Sequence, residues 1–512
     1  MFLSINPSSP HFDEHKWVID IRRIIEEEIE EEACGRVSIF SVPKALLSNA
    51  PLCYIPQQIS IGPYHYKNPQ LYEMQRHKIF AAKRVQSKLQ PQERFEKVVQ
   101  EMERSASFVR ENYHTSLLLS NSTLSWMMAI DASFLLEFLH LLSSKEPLSS
   151  NCAFSNLIGF EGRKSTCTYI LKDIVMMENQ IPLLAIQKVA EIQFLGCSND
   201  MLLMMFVRFC NEVSPFTAVG EVPQSTLSQS SHLLHFLYKT ILSNIPQLED
   251  EDVSSEQDKK ENYNKIRVLK KIMIFLGSKL LKLVIRLPLA IASNIPIISL
   301  LKQPVEELLA SCQDTNQHIK HSPSNCDSTF HKPPLMEEIT IPSVTELTKA
   351  GVRFSPVKGS VSKVFFDAKT ATLHLPIVCL DVNTEVVMRN LVAFEAAIAL
   401  GPLVFTRYTE LMNGIVDTEN DAKLLRERGV ILSHLKSDGE VANLWNGMSK
   451  SIRLTKVPFL DRAIEDVNKF YRKQWRIRAL RFLIQRISFM VQLLFMFIMT
   501  IFVFLMTFYL KV

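Results

Sequence analysis

The chain has 512 residues and a formal net charge of +4, but eight Lys or Arg and no Asp or Glu lie beyond residue 468, which leaves residues 1–468 near −4. That sign excludes the basic stripe a nucleic-acid-binding domain needs, so no nucleic-acid partner is expected. With only 14 glycines, well under half the usual share of about 7%, the chain has few positions for left-handed turns or phosphate-cradling loops, and helices are favoured.

The first predicted element is a helix over 13–33, where Trp17, Ile21, Ile24, Ile25 and Ile29 recur at helical spacing and Glu26 to Glu28 with Glu30 to Glu32 form a solvated face. Ahead of it no basic stretch precedes an apolar run, so the N-terminus does not read as a signal peptide. Prolines at 43, 51, 56, 63 and 69 make Tyr54 to Asn68 an extended, turn-rich segment leading into a helix from Leu71. Phe95 to Tyr113 reads as an exposed helix of mixed charge. Leu124 to Leu142 is so apolar that it belongs at the centre of a bundle, where Asp131 and Glu137 each require a partner. Residues 171–189 read as two helices broken at Pro182, and another helix starts near Ser231. The stretch 280–301 is interrupted by Lys282, Arg286, Pro288 and Pro296 and reads as buried helix and loop.

Two stretches look inserted, a charged linker at 247–264 and a polar, proline-bearing segment at 311–334. Beyond them the hydrophobic period changes: 364–381 has two β-rich runs around Asp367 to Thr370 and predicts a hairpin. Helices return at 384–400, 403–414, 417–428 and 440–452. The expected fold is mainly α, a multi-helix domain over 13–466 with a small β-hairpin, a basic juxtamembrane helix at 467–486 and one C-terminal transmembrane helix at 487–510.

That last stretch contains no charged residue and as a helix reaches about 36 Å, enough for a ~30 Å hydrocarbon layer. Lys469, Arg472, Lys473, Arg476, Arg478, Arg481 and Arg486 precede it and only Lys511 follows, so the N-terminal body is expected on the cytosolic side. With two residues beyond it, such a tail anchor is expected to insert after translation. Lys469, Arg472, Lys473 and Arg476 fall on one helical stripe, the candidate contact with an anionic membrane surface. Asn121-Ser122-Thr123 is a glycosylation acceptor that this orientation leaves unused.

No phosphate-binding loop, H-E-x-x-H or G-x-S-x-G occurs. The nine cysteines, Cys34, Cys53, Cys152, Cys167, Cys197, Cys210, Cys312, Cys326 and Cys379, have no zinc-ligand spacing and read as buried or idle thiols of a reducing compartment. His232 and His235 sit three apart on a helix without a visible third ligand, so no metal or cofactor is assigned. Glu178-Asn179-Gln180 before Pro182 suits capping of backbone groups more than acid-base work. The cluster Cys53, His65, His77 is the one place for a thiol-dependent hydrolase or transferase, the alternative to a protein-interaction or signalling module.

Several stretches, taken together and in order, resemble the plant family known as domain of unknown function 247: VPKALL (42–47), IPQQISIGPYHY (55–66), MQRHK (74–78), DASFLLEFL (131–139), MMENQIPLL (176–184), HLLHFLY (232–238), ATLHLPIVCLDVNTEVVMRNLVAFE (371–395) and LMNGIVDTENDAKLLRERGVI (411–431). The resemblance implies a plant protein with one mostly helical domain and a C-terminal span, and no assigned reaction. Links of some grass relatives to self-incompatibility imply recognition. Met176 and Met177 stand where an acidic residue is common, and Tyr66 where a second His is.

Overall fold

The computed structural model describes residues 37–143, 163–194, 199–217, 222–243, 339–398, 401–449 and 454–509, with a few isolated positions besides. The chain divides into two compact units, Met1–Pro246 with Met336–Val512, and Gln247–Leu335. The second unit, with the predicted linker 247–264, the stretch 280–301 and the insertion 311–334, lies outside the described residues, as does most of the predicted helix 13–33.

The first unit is mostly helical with small sheets. Lys44–Asn49 (α1) is followed by 3-10 turns at Pro51–Cys53 and Pro69–Met74, then by Gln75–Lys88 (α2), Glu96–Glu103 (α3), Ala106–Glu111 (α4), Asn121–Ser143 (α5), Arg163–Ile174 (α6), Leu183–Gln193 (α7), Asn199–Val213 (α8), Gln224–Ser228 (α9) and Leu233–Ile241 (α10). After the second unit come Val344–Lys349 (α11), strands Arg353–Val357 (β1), Phe365–Asp367 (β2), Thr372–Pro376 (β3) and Val378–Leu380 (β4), then Thr384–Ile398 (α12), Val404–Ile415 (α13), Glu419–Glu427 (α14), Ile431–Ser433 (β5), Asp438–Leu444 (α15) and Pro458–Tyr509 (α16).

Helix α5 is the centre of the N-terminal half, packed by α2, α3, α7 and α8. Among the described residues it is the one helix long and apolar enough to cross a membrane, where the sequence predicts that property for 487–510, yet 67% of its most apolar window is buried inside the domain. Leu124, Met128, Phe134, Leu136, Phe138 and Leu139 are fully enclosed, each contributing about 1.5–3 kcal/mol of apolar burial. Its two acids have the partners they require: Lys78 Nζ lies 2.5 Å from Asp131, and Arg84 grips Glu137 through two nitrogens.

The predicted hairpin is present. β2 runs antiparallel to β3 with Phe366 opposite Leu373, and Asp367 closes the turn by accepting from the Lys369 N–H and the Thr370 hydroxyl. A third strand, β1, pairs parallel to β3, and β4 pairs parallel to β5. β1 and β5 were hidden in the sequence, β1 because Pro356 interrupts its alternation and β5 because three residues carry no period, whereas β4 falls within the predicted β-rich stretch 364–381 but pairs with β5.

Other boundaries differ for physical reasons. The stretch 95–113 is two short helices, and it is not simply exposed: leaving the helix at Ser105 lets Val98, Val99 and Met102 of one and Ala106 and Val109 of the other all face the core. Helix α6 ends at Ile174, eight residues before Pro182, because side chains of the following turn cap its last carbonyls. α15 begins earlier than predicted, with Ser437 accepting from the Glu440 N–H, and ends at Leu444. The stretches 467–486 and 487–509 form one helix with Pro458 onwards. No Gly or Pro interrupts residues 459–509, so nothing in the backbone separates them.

Candidate functional site

The segments that stand out in the sequence, 53–65 and 173–180, meet in a buried polar seam. Pro56 and Pro63 keep 53–65 out of any ladder, so its backbone N–H groups need side-chain acceptors. Asp173, fully buried, accepts from Gln57 (3.0 Å), Gln58 (2.6 Å) and Ile59 (2.9 Å). Asn179 Oδ1 takes the Ile61 N–H at 2.6 Å, and its Nδ2 donates to the Ile59 and Asp173 carbonyls. The other oxygen of Asp131 takes the Gly62 N–H at 2.8 Å. Gly62 has φ +75°, and a Cβ there would stand 2.7 Å from the Gln180 carbonyl, so only glycine fits.

The facing turn is closed in the same way. Gln180 Nε2 donates to the Ile174 and Met176 carbonyls while its Oε1 accepts from the Leu234 N–H. Asn390 of α12 accepts from the Met177 N–H and donates to the Cys53 carbonyl, tying the turn to the proline-rich segment. Further on, Glu395 accepts from Tyr238 Oη, from the Phe405 and Thr406 N–H groups and from the Thr406 hydroxyl. Burial pushes Asp131, Asp173 and Glu395 above the usual carboxylate range. These are structural acceptors, held by fixed donors on every side. Asp173, Asn390 and Glu395 were missed by sequence reasoning; the available signal was a single acid or amide inside an apolar run.

The Glu178-Asn179-Gln180 run therefore caps backbone groups, as its composition suggests. Glu178 Oε1 accepts from the Val42 N–H at 2.8 Å and Oε2 lies 3.1 Å from His65 Nε2. Both side chains retain some exposure, 18% and 15%, so this pair is the accessible rim of the seam. His232 is fully buried: its Nε2 meets the Ser38 carbonyl at 2.9 Å and its Nδ1 accepts from the His235 N–H. That is a helix N-cap, a structural use of the imidazole. Among the described residues no group of three or more His, Cys, Asp and Glu could hold a metal ion.

Cys53 is buried and its thiol is pushed up to about 11, first by desolvation and then by Glu385. It is therefore protonated at neutral pH, the reverse of an activated nucleophile. His65 is oriented toward Glu178, and the Cys53 carbonyl is bound to Asn390. The Cys53, His65 and His77 cluster thus lacks the lowered thiol that a covalent mechanism requires.

Of the membrane-surface stripe, Arg472, Lys473 and Arg476 are exposed on α16, whereas Lys469 reaches Glu465 (3.4 Å) and Asp466 (3.2 Å) of its own helix. Lys469 is exposed like the other three, so all four cations face outward, and it alone among them has acidic partners on its own helix. Asn121 opens α5 with its Oδ1 held by Arg110 Nε (3.0 Å) and Nη2 (2.9 Å).

Two Arabidopsis thaliana proteins are similar to this chain over most of their length. UPF0481 protein At3g02645 is 40% identical over 490 residues, 92% of this chain and 89% of its own. UPF0481 protein At3g47200 is 23% identical over 449 residues, 87% of this chain and 79% of its own. No solved structure matches the chain. Residues 39–506 match the family described as plant protein of unknown function, DUF247, a span that takes in the polar seam and nearly all of α16, and the chain belongs to that family.

Proposed function

We propose that this protein is anchored in a membrane by a single span at 487–510, with its helical body on the cytosolic face, and that the body works there as a protein-interaction module in recognition or signalling. The observation that carries this reading is the change of surroundings along α16. Val457, just before the helix, and Leu460, Ala463, Ile464 and Val467 are buried against the body, whereas Phe482, Phe489, Leu493, Met496, Phe497, Met499, Ile501 and Val503 are 41–64% exposed. A soluble monomer rarely leaves so long a run of large apolar side chains in water; hydrocarbon is the solvent that suits it. The basic flank from Lys469 to Arg486 favours the cytosolic orientation. An interaction role is favoured over the membrane-tethered hydrolase or transferase because the buried acids and amides of the seam are committed to backbone groups and the Cys53 thiol is raised.

Expressed in microsomes, the full chain is expected to stay in the pellet through alkaline carbonate extraction, and a chain ending at 486 to be released. Asn121 is expected to carry no glycan. Release of the full chain by carbonate would sink the anchor, and a glycan on Asn121 would reverse the orientation. Proximity labelling from the body, with and without 487–512, then tests the module: membrane-protein partners that vanish on truncation support it, and an unchanged set of soluble partners contradicts it.

A further inference from the structure

Along α16 runs a pattern that anchoring by itself does not require. Trp475, Phe482, Phe489, Met496 and Val503 recur every seven residues, and each is 46–59% exposed. Arg478, Gln485, Gln492 and Met499 follow three residues after Trp475, Phe482, Phe489 and Met496, so with 3.6 residues per turn they lie on the same stripe, which is apolar in its first row and largely polar in its second. This is the a/d spacing of a two-stranded coiled coil, carried by one helix that has no break between the body and the end of the apolar run.

Two polar residues of that run behave differently. Thr500 satisfies its hydroxyl within the helix, near the Met496 (3.0 Å) and Phe497 (2.8 Å) carbonyls. Gln492 is exposed on the stripe, five residues past Ile487, and a carboxamide offers two donors and an acceptor. Inside hydrocarbon a polar group at the same depth on a second helix can take those that the helix's own carbonyls leave unmet. A parallel second copy supplies that group by symmetry. Both chains enter from the same side, so residue 492 of each stands at one depth, and a two-fold contact sets like against like along the stripe.

We infer that two copies of this chain pair in parallel through the 475–503 stripe of α16, with Gln492 hydrogen bonded across the pair; the inference rests on the membrane reading above. A partner of different sequence would need its own polar residue at that depth and register, a condition that an identical chain meets automatically.

The test uses the full chain in native-lipid particles, with subunits counted by single-molecule photobleaching. The wild type is expected to be mainly dimeric. Gln492→Leu, which makes the span more apolar and so preserves insertion, is expected to weaken pairing about three- to tenfold, the range measured for interhelical hydrogen bonds in membranes. With a membrane-permeant oxidant, Phe489→Cys on the stripe should give covalent dimers, and Ile501→Cys, about 180° around the helix from Gln492, should not. A wild type that inserts but counts as monomers overturns the pairing and leaves the anchor standing. So does equal cross-linking from both faces, pairing unaffected by Gln492→Leu, or a cross-link to a different protein. A chain that never enters the membrane fraction overturns the anchor reading itself, and the pairing with it.

Discussion

Asp173 illustrates how a single side chain can take the place of a secondary-structure element. Three consecutive N–H groups of a proline-bounded segment end on its carboxylate, because Pro56 and Pro63 deny that segment a ladder. Asp173→Ala leaves those donors unpaired in the interior, and the expected loss is about 3–5 kcal/mol, measured by denaturant unfolding of the detergent-solubilised chain. Asp173→Asn, which keeps one carbonyl oxygen, should lose less; equal losses would show that the charge and not the acceptor geometry matters. His232 gives the pH counterpart. Burial and the neighbouring His235 hold its imidazole down to about 3, against about 6.5 in an unfolded chain. The fold prefers the neutral ring, so this contribution is complete above about pH 6.5 and is lost as pH falls toward 3. Between pH 6 and 4 the wild type should lose stability about 1.4 kcal/mol per pH unit more steeply than His232→Gln. Asp131, Asp173 and Glu395, raised by burial, act in the opposite sense in both proteins and cancel from the comparison.

At the scale of elements, α16 decides most. Its 52 residues span about 78 Å. Counting back from residue 487, an upright helix places Arg476 about 16 Å, Arg472 about 22 Å and Lys469 about 27 Å from the hydrocarbon edge. If the span proposed above is in place, then with headgroups filling only about 5–8 Å and a screening length of about 8 Å the attraction of these cations to the leaflet is expected to grade down along the helix. Lys469, paired with Glu465 and Asp466, contributes least. For a 465–486 peptide on anionic vesicles, reversing all four charges should weaken binding at least about tenfold, while Lys469→Gln alone should leave it nearly unchanged. Binding that survives the fourfold reversal would leave these residues only an orienting role. The element types were legible in advance wherever the period was long, as in 124–142 and 384–398. The end of α6 at Ile174 was not legible, because it is set by Gln180 and Asn179 folding back on its carbonyls.

For the whole molecule, the buried contacts between the body and α16 lie, among the described residues, in the first part of the helix. Buried contacts of the helix with the body run through Val467, with Phe470 and Tyr471 partly covered and the Phe470 ring 5.8 Å from Phe366. Beyond Ile477 the described apolar side chains are exposed. Deleting 487–512 is therefore expected to leave the thermal midpoint of the body within about 2 °C of the full chain in the same detergent. A larger fall would mean that the distal helix supports the fold directly.

Some properties were settled by sequence because they depend on local physics. An apolar stretch at helical period and the scarcity of glycine each act through neighbours along the chain, so helical character could be read directly. The blocks that carry the family resemblance were legible as a pattern but not as a cause. Only the tertiary structure shows that IPQQISIGPYHY and MMENQIPLL close on each other, that Asp131 belongs to Lys78 and Gly62, and that Asn390 joins Met177 to Cys53. Those partners lie tens to hundreds of residues apart. Which buried donor meets which acceptor is fixed by how the helices pack, information that no local spacing contains.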